Sequence, residues 1–226
     1  MVRRTRLGLI LVSTLVLLPM SPALAAAQAT PGSPAKAGAV VYVRARGGGV
    51  LPEAIRERLR TVPNVGHVES FLEGKASDGV RVIGVEPSPT LHLRSGNEIL
   101  PVAIVQGRGF EAGDAPEAMV VGKTFAQKNK TALGLSIPAM LTKNHFPPII
   151  VGDQGFAIVG IYATGDPNTD DQVLVLLPTA QKLLNQPGRV SGLYILPAAS
   201  AEQVTSDLRR ALGTRAEATP LPRRGP

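Results

Sequence analysis

Two strand–helix–strand patterns, one toward each end of the chain, constrain the fold more than any other feature of the sequence. In the first, AVVYVRA (39–45) is a β-branched run, Leu51, Ile55 and Leu59 recur at helical spacing up to Thr61, and VGHVESF (65–71) alternates as a strand. Pro63 and Asn64 break the helix, and VRVIGVE follows the turn SDG as a third strand. In the second, the strand VSGLYILPA (190–198) precedes AEQVTSDLRRAL (201–212), which places Val204, Leu208 and Leu212 on one helical face; a short strand follows near AEATPL. Between Pro87 and Pro187 glycine and proline are frequent and the strands are short: PVAIVQG, EAMVVG, SIPAMLTK, GFAIVGIYA and QVLVLL. Only two helices are predicted there, Lys123–Leu133 and Thr179–Asn185. The expected class is α+β. A split ferredoxin-like α/β subdomain from residues 39–88 and 188–221 carries an inserted small β-rich subdomain at 89–187.

The amino terminus bears on location. Arg3, Arg4 and Arg6 precede the apolar run LGLILVSTLVLL, and small residues follow at Ala23 and Ala25, the layout of a secretory signal peptide over residues 1–27. The run is short for a bilayer span, which leaves cleavage after Ala25 or Ala27 as the first reading. An uncleaved anchor extended through PMSPALAAA is the second, opposed by the helix-breaking Pro19 and Pro22. Residues 28–38, QATPGSPAKAG, have a linker composition, and 222–226 form a proline- and arginine-rich tail. The chain has no cysteine, so disulfides and a lipid-anchored lipoprotein are both excluded, and stability has to come from a core.

Three of the 24 basic side chains lie in the leader, leaving 21 against 17 acids, a net charge of +4. The charges are dispersed along the sequence and aromatics make up only 4%, which argues against a nucleic-acid partner and leaves weak peripheral contact with anionic membrane as the consequence of the excess.

The motifs that look chemical have simpler explanations. Asp166, Asn168 and Asp170 follow the D-x-N-x-D order of a calcium loop, but Pro167 occupies the second position, Asp171 the glycine position and Leu177 the place of the bidentate Glu. Turn formers between two strands are the better reading. Gly122-Lys123-Thr124 resembles the end of a phosphate-binding loop, yet Glu117 stands where its first glycine belongs and AMVV between them is strand. His67, His92 and His145 have no metal-ligand spacing, Ser136 lacks a nucleophile elbow, and the acceptor pattern at Asn129 lies in a predicted helix. No catalytic, cofactor-binding or metal residue is assigned. A secreted small-ligand binder or hydrolase, with Asp166, Asp170, Asp171 and His145 around an acidic cleft, is the alternative.

The order VIGVEP, QGRGF, EAMVVGKTFAQKN with LGL, GFAIVGIY, DDQVLVLLPTAQKLL and VSGLYI resembles the MacB-like periplasmic core domain of FtsX-type ABC transporter permeases over roughly residues 39–213. The resemblance implies an α/β porter-like part with a β-rich insertion, standing outside the cytoplasmic membrane between the first and second membrane helices. It also implies contacts with an envelope or membrane protein, an ABC transporter complex among the candidates, and no catalytic residues or cofactors. Ser136, Ile137 and Pro138 depart from the glycine and acidic residue common after "Leu-Gly-Leu" in the family. The chain also lacks the apolar spans that follow the domain in a permease, so it is expected to act as a free-standing, extracytoplasmic interaction module for an export or envelope-remodelling system.

Overall fold

The computed structural model describes residues 39–88, 90–129 and 149–224. The chain begins with β1 (Val40–Ala45), β2 (Leu51–Pro52), α1 (Ile55–Arg60), β3 (Val65–Lys75) and β4 (Arg81–Val85). A hairpin of β5 (His92–Ser95) and β6 (Glu98–Pro101) follows, then β7 (Ala103–Gly107), β8 (Ala118–Gly122) and α2 (Lys123–Asn129). The last section contains β9 (Ile149–Val151), β10 (Gln154–Ala163), β11 (Val173–Leu176), α3 (Leu177–Leu183), β12 (Arg189–Val190), β13 (Gly192–Pro197), α4 (Ala201–Leu212) and β14 (Ala216–Leu221).

One large mixed sheet runs in the order β14-β1-β13-β3-β4-β11-β8-β10-β7, with β9 beside β10. The pairs β4–β11 and β8–β10 are parallel and the others antiparallel. At one end, β14, β1, β13 and β3 come from the two outer stretches of the chain. β11 lies directly beside β4 and carries the hydrogen bonding on into the strands of the middle section. Both faces of the sheet are covered, so its central strands are nearly continuous apolar runs rather than alternating ones.

On one face, Val41, Val43, Val68, Leu72, Val82, Val173 and Leu193 pack against Leu59 of α1, Leu177 and Ala180 of α3, and Val204, Leu208 and Leu212 of α4. α4 is begun by Ser200, whose hydroxyl accepts from the Gln203 amide, and its apolar residues recur every turn. α3 approaches so closely that a side chain at Gly84 of β4 has no room, because Ala180 Cβ occupies the space. The opposite face is aromatic. Phe71 and Tyr194 stack with ring centroids 4.7 Å apart, Tyr42 lies beside both, and Arg94 sits over the Tyr42 ring at 5.0 Å. The β5–β6 hairpin covers this face through Leu93 and Ile99.

Three local expectations change. The helix begins at Ile55 and not Leu51, because Leu51 and Pro52 pair as a strand with Val190 and Arg189. The β5–β6 hairpin and β9, unread in the sequence, are strands of three or four residues, too short to show a period. The expected strand at 136–143, the last residues of the helix expected at 123–133, His145 and the leader and linker lie outside the described residues.

Candidate functional site: a polar groove at the ends of two parallel strands

β4 and β11 run parallel and each is followed by one residue and then a proline, Glu86-Pro87 after Val85 and Leu177-Pro178 after Leu176. Proline bars strand continuation at Pro87 and suits the first turn of α3 at Pro178. The two chains diverge there and leave a depression of about 400 Å³ lined by Glu53, Arg56, Val85, Glu86, Pro87, Leu177 and Pro178. A second depression of about 310 Å³ shares Pro178 and continues past Gln181, Lys182 and Asn185 to Pro187. Crevices at the carboxyl ends of parallel strands are where open α/β sheets take ligands.

The floor of the groove is charged and half-buried. Arg56 Nη2 lies 2.5 Å from Glu86 Oε2, with the side chains 22% and 18% exposed. Burial pushes the Glu86 carboxyl above its ordinary range, an effect that the Arg56 guanidinium and the nearby Ser70 hydroxyl offset in part. Glu86 Oε1, Arg56 Nε and the buried Ser70 Oγ make no hydrogen bond of acceptable geometry among the described residues. Gln181 Nε2 donates to Glu53 Oε2 at 2.8 Å and to the Arg189 carbonyl at 3.1 Å, tying α3 to the approach of α1. The unpartnered atoms are themselves buried beneath the groove, so what it presents between its exposed proline rims is the partly exposed Arg56–Glu86 ion pair.

The raised Glu86 pKa sets a pH dependence. A carboxyl harder to ionise in the fold than in the unfolded chain favours the fold below its unfolded value of about 4.5 and opposes it increasingly as pH rises toward its folded value. Glu86→Gln is expected to flatten this decline. Urea midpoints at pH 4.5 and pH 7 should differ less in the variant than in the parent, and parallel pH profiles would exclude the strain on Glu86.

The acidic turn is a corner in which each carboxylate has its own partners. Asp166 accepts from Ser95 Oγ, from Thr169 Oγ1 and, more weakly, from the amides of Asn168 and Thr169, and these bonds hold its carboxyl below the usual range. Asp170 accepts from the amide and hydroxyl of Thr164, while Asp171 faces Lys128 and Arg81. Tyr162 closes the loop from below by donating to the Thr169 carbonyl at 2.7 Å. Among the described residues no three metal-capable side chains converge.

Gly122 serves packing: a methyl there would fall on the carbonyl of Asp170, whose Cα would stand only 2.9 Å away. Of the histidines, His67 is exposed and His92 is buried. His92 Nδ1 lies 2.8 Å from Glu69 Oε2 and its Nε2 lies 2.5 Å from Arg223 Nη2. A guanidinium only donates, so Nε2 accepts and Nδ1–H donates to Glu69, which also receives the Ser88 hydroxyl. No sequence spacing signals this chain, because its members lie 23 and 131 residues apart.

The MacB-like periplasmic core domain family matches residues 7–211. The chain belongs to that family. A comparison of the sequence with curated proteins finds no match. In structure the chain is similar to the extracellular domain of the noncanonic ABC-type transporter YknZ from Gram-positive bacteria, with a TM-score of 0.54, 11% identity, and coverage of 80% of this chain and 99% of that one. It is likewise similar to the periplasmic region of MacB from Actinobacillus actinomycetemcomitans, with a TM-score of 0.53, 8% identity, and coverage of 80% and 88%. At these identities the likeness is one of fold: a mixed α+β structure dominated by a large mixed sheet, as in these transporter domains. The family is defined by a periplasmic domain, which fits an extracytoplasmic location; no helix among the described residues is long and apolar enough to cross a membrane. The VIGVEP stretch on which the resemblance partly rests ends at the carboxyl of the groove, Glu86, and its proline rim.

Proposed function

We propose that the protein is an exported, non-enzymatic core domain that binds a protein partner outside the membrane, in an ABC-type export or envelope-remodelling system, and that the Arg56–Glu86 groove is its contact site. The observation that carries this reading is the position of the groove. Glu53, Arg56 and Glu86 come from residues 39–88, whereas Leu177 and Pro178 come from 89–187, so the groove follows the seam between the two parts of the chain. The order β14-β1-β13-β3, all antiparallel and connected through α1 and α4, supports a split ferredoxin-like, porter-like part with 89–187 inserted into it. A groove on such a seam changes shape when the parts shift, which suits a module that responds to its partner.

The test is crosslinking in intact cells from a photoreactive residue at Lys182, exposed on the groove rim. A membrane or envelope protein is expected to be recovered repeatedly with ultraviolet exposure and not without it. Repeated recovery of no protein would sink the reading.

A further inference from the structure

Arginines dispersed along the sequence meet at one corner of the fold, where β1 ends, β14 begins and α4 stops beside α1. The Arg46 amide donates to the Arg215 carbonyl at 3.2 Å, which places these two residues side by side. Arg58 of α1 donates through Nη2 to the Ala211 carbonyl in the last turn of α4 at 2.5 Å, and Arg209 donates through Nε to the Ala218 carbonyl at 3.1 Å. All four arginines are exposed. The neighbouring exposed arginines are paired, Arg44 with Glu217, Arg60 with Glu57 and Arg210 with Asp207, as is Arg224 with Glu98 in another part of the fold, whereas Arg189, also exposed, stands alone with no ion pair among the described residues. Arg46, Arg58, Arg209 and Arg215 have no carboxylate at ion-pair distance among the described residues, and the nearby acids Glu57, Asp207 and Glu217 are already engaged.

We propose that this corner is a docking surface for a carboxylate-rich polypeptide segment of the partner, an inference that rests on the interaction-module reading above. Clustered like charges without internal counter-ions raise the local potential and attract an anionic partner. Arginine forks match carboxylates in bidentate geometry. Polypeptide carboxylates are favoured over lipid headgroups by the position of the corner. Val40 pairs with Leu221 where the sheet strands enter and leave, and Ala45 pairs with Ala216 at the other end of the same strands, beside the arginines. A membrane held by an uncleaved leader at the entry end would be a strand length from the arginines, roughly 17–20 Å, about two screening lengths in physiological salt, and a cleaved leader holds none there.

The experiment titrates the purified protein with a fluorescein-labelled oligoglutamate peptide and, separately, with phosphatidylglycerol vesicles. The peptide should bind, less tightly as salt rises, and the double variant Arg46→Glu/Arg215→Glu should lose about tenfold or more in affinity. Arg46→Lys/Arg215→Lys, which keeps the charge and loses the forks, should lie between. An unchanged affinity in the charge-reversed variant, no peptide binding by the parent, or binding of vesicles in preference to peptide overturns the proposal; unfolding curves verify that the variants are folded. In cells, the same Lys182 crosslink from parent and charge-reversed variant overturns this surface and leaves the interaction-module reading standing. No crosslink from either overturns that reading, and the peptide titration then decides the surface alone.

Discussion

Gly122→Ala is expected to be among the most damaging single-methyl changes in the protein, costing about 3 kcal/mol or more. The added carbon would overlap the backbone carbonyl of Asp170, and both sides of that contact are fixed. The Gly122 amide donates to Gln172 O at 2.9 Å and the Phe125 amide to Asp170 O at 3.0 Å, so the turn after β8 and the acidic corner hold each other. A flexible side chain could swing away, whereas here β8 or the corner has to move, and β8 is buried throughout between β11 and β10. For a domain of this size the loss corresponds to a fall in melting temperature of roughly 6–12 °C. Lys123→Ala, at an exposed neighbouring position, is expected to stay within about 0.5 kcal/mol. Thermal unfolding of the two variants separates the readings of Gly-Lys-Thr: a packing glycine predicts this asymmetry, and a tolerant Gly122 would remove the structural account of it.

Glu69→Leu is expected to cost about 3 kcal/mol or more, because it leaves the buried His92 Nδ1–H without its acceptor and Arg223 facing a histidine no longer held by a carboxylate, whereas the Ser88 hydroxyl keeps the Thr90 carbonyl. Glu69 belongs to β3, whereas His92 begins β5, so the pair fastens the hairpin to the sheet. Arg223 adds to the same fastening. The segment after β14 runs along β6, with the Ile99 amide donating to Pro222 O at 3.0 Å and the Arg224 amide to Ile99 O at 2.9 Å. The variant should therefore show faster amide exchange in β5 and β6 before other strands are affected. His67→Ala, on the exposed side of Glu69 at 3.7 Å, should change little and serves as the control. Uniform loss of protection across the sheet, with no early opening of the hairpin, would argue against the fastening.

Local elements are legible in the sequence where a period has room to repeat. The two strand–helix–strand patterns appear as β1–α1–β3 and β13–α4–β14 because Val204, Leu208 and Leu212 bury a face at every turn and because strands covered on both faces are apolar throughout. Family membership was legible for the same reason, since the order of short apolar segments survives where individual residues do not. The groove was only half legible: VIGVEP and LLPTAQKLL mark its two prolines, but nothing in them says that Glu86 would meet Arg56.

That meeting was decided by tertiary structure. β11 lies beside β4, and not in a sheet of its own, because the two apolar strands bury each other's edges; that strand order brings Glu86-Pro87 next to Leu177-Pro178. The Glu69–His92–Arg223 chain and the arginine corner have the same origin. Propensity and periodicity act over a few neighbouring residues, whereas strand order and register choose which distant side chains share a face. Charges that look dispersed along the chain are thus gathered by pairings such as Ala45 with Ala216, which no local pattern encodes.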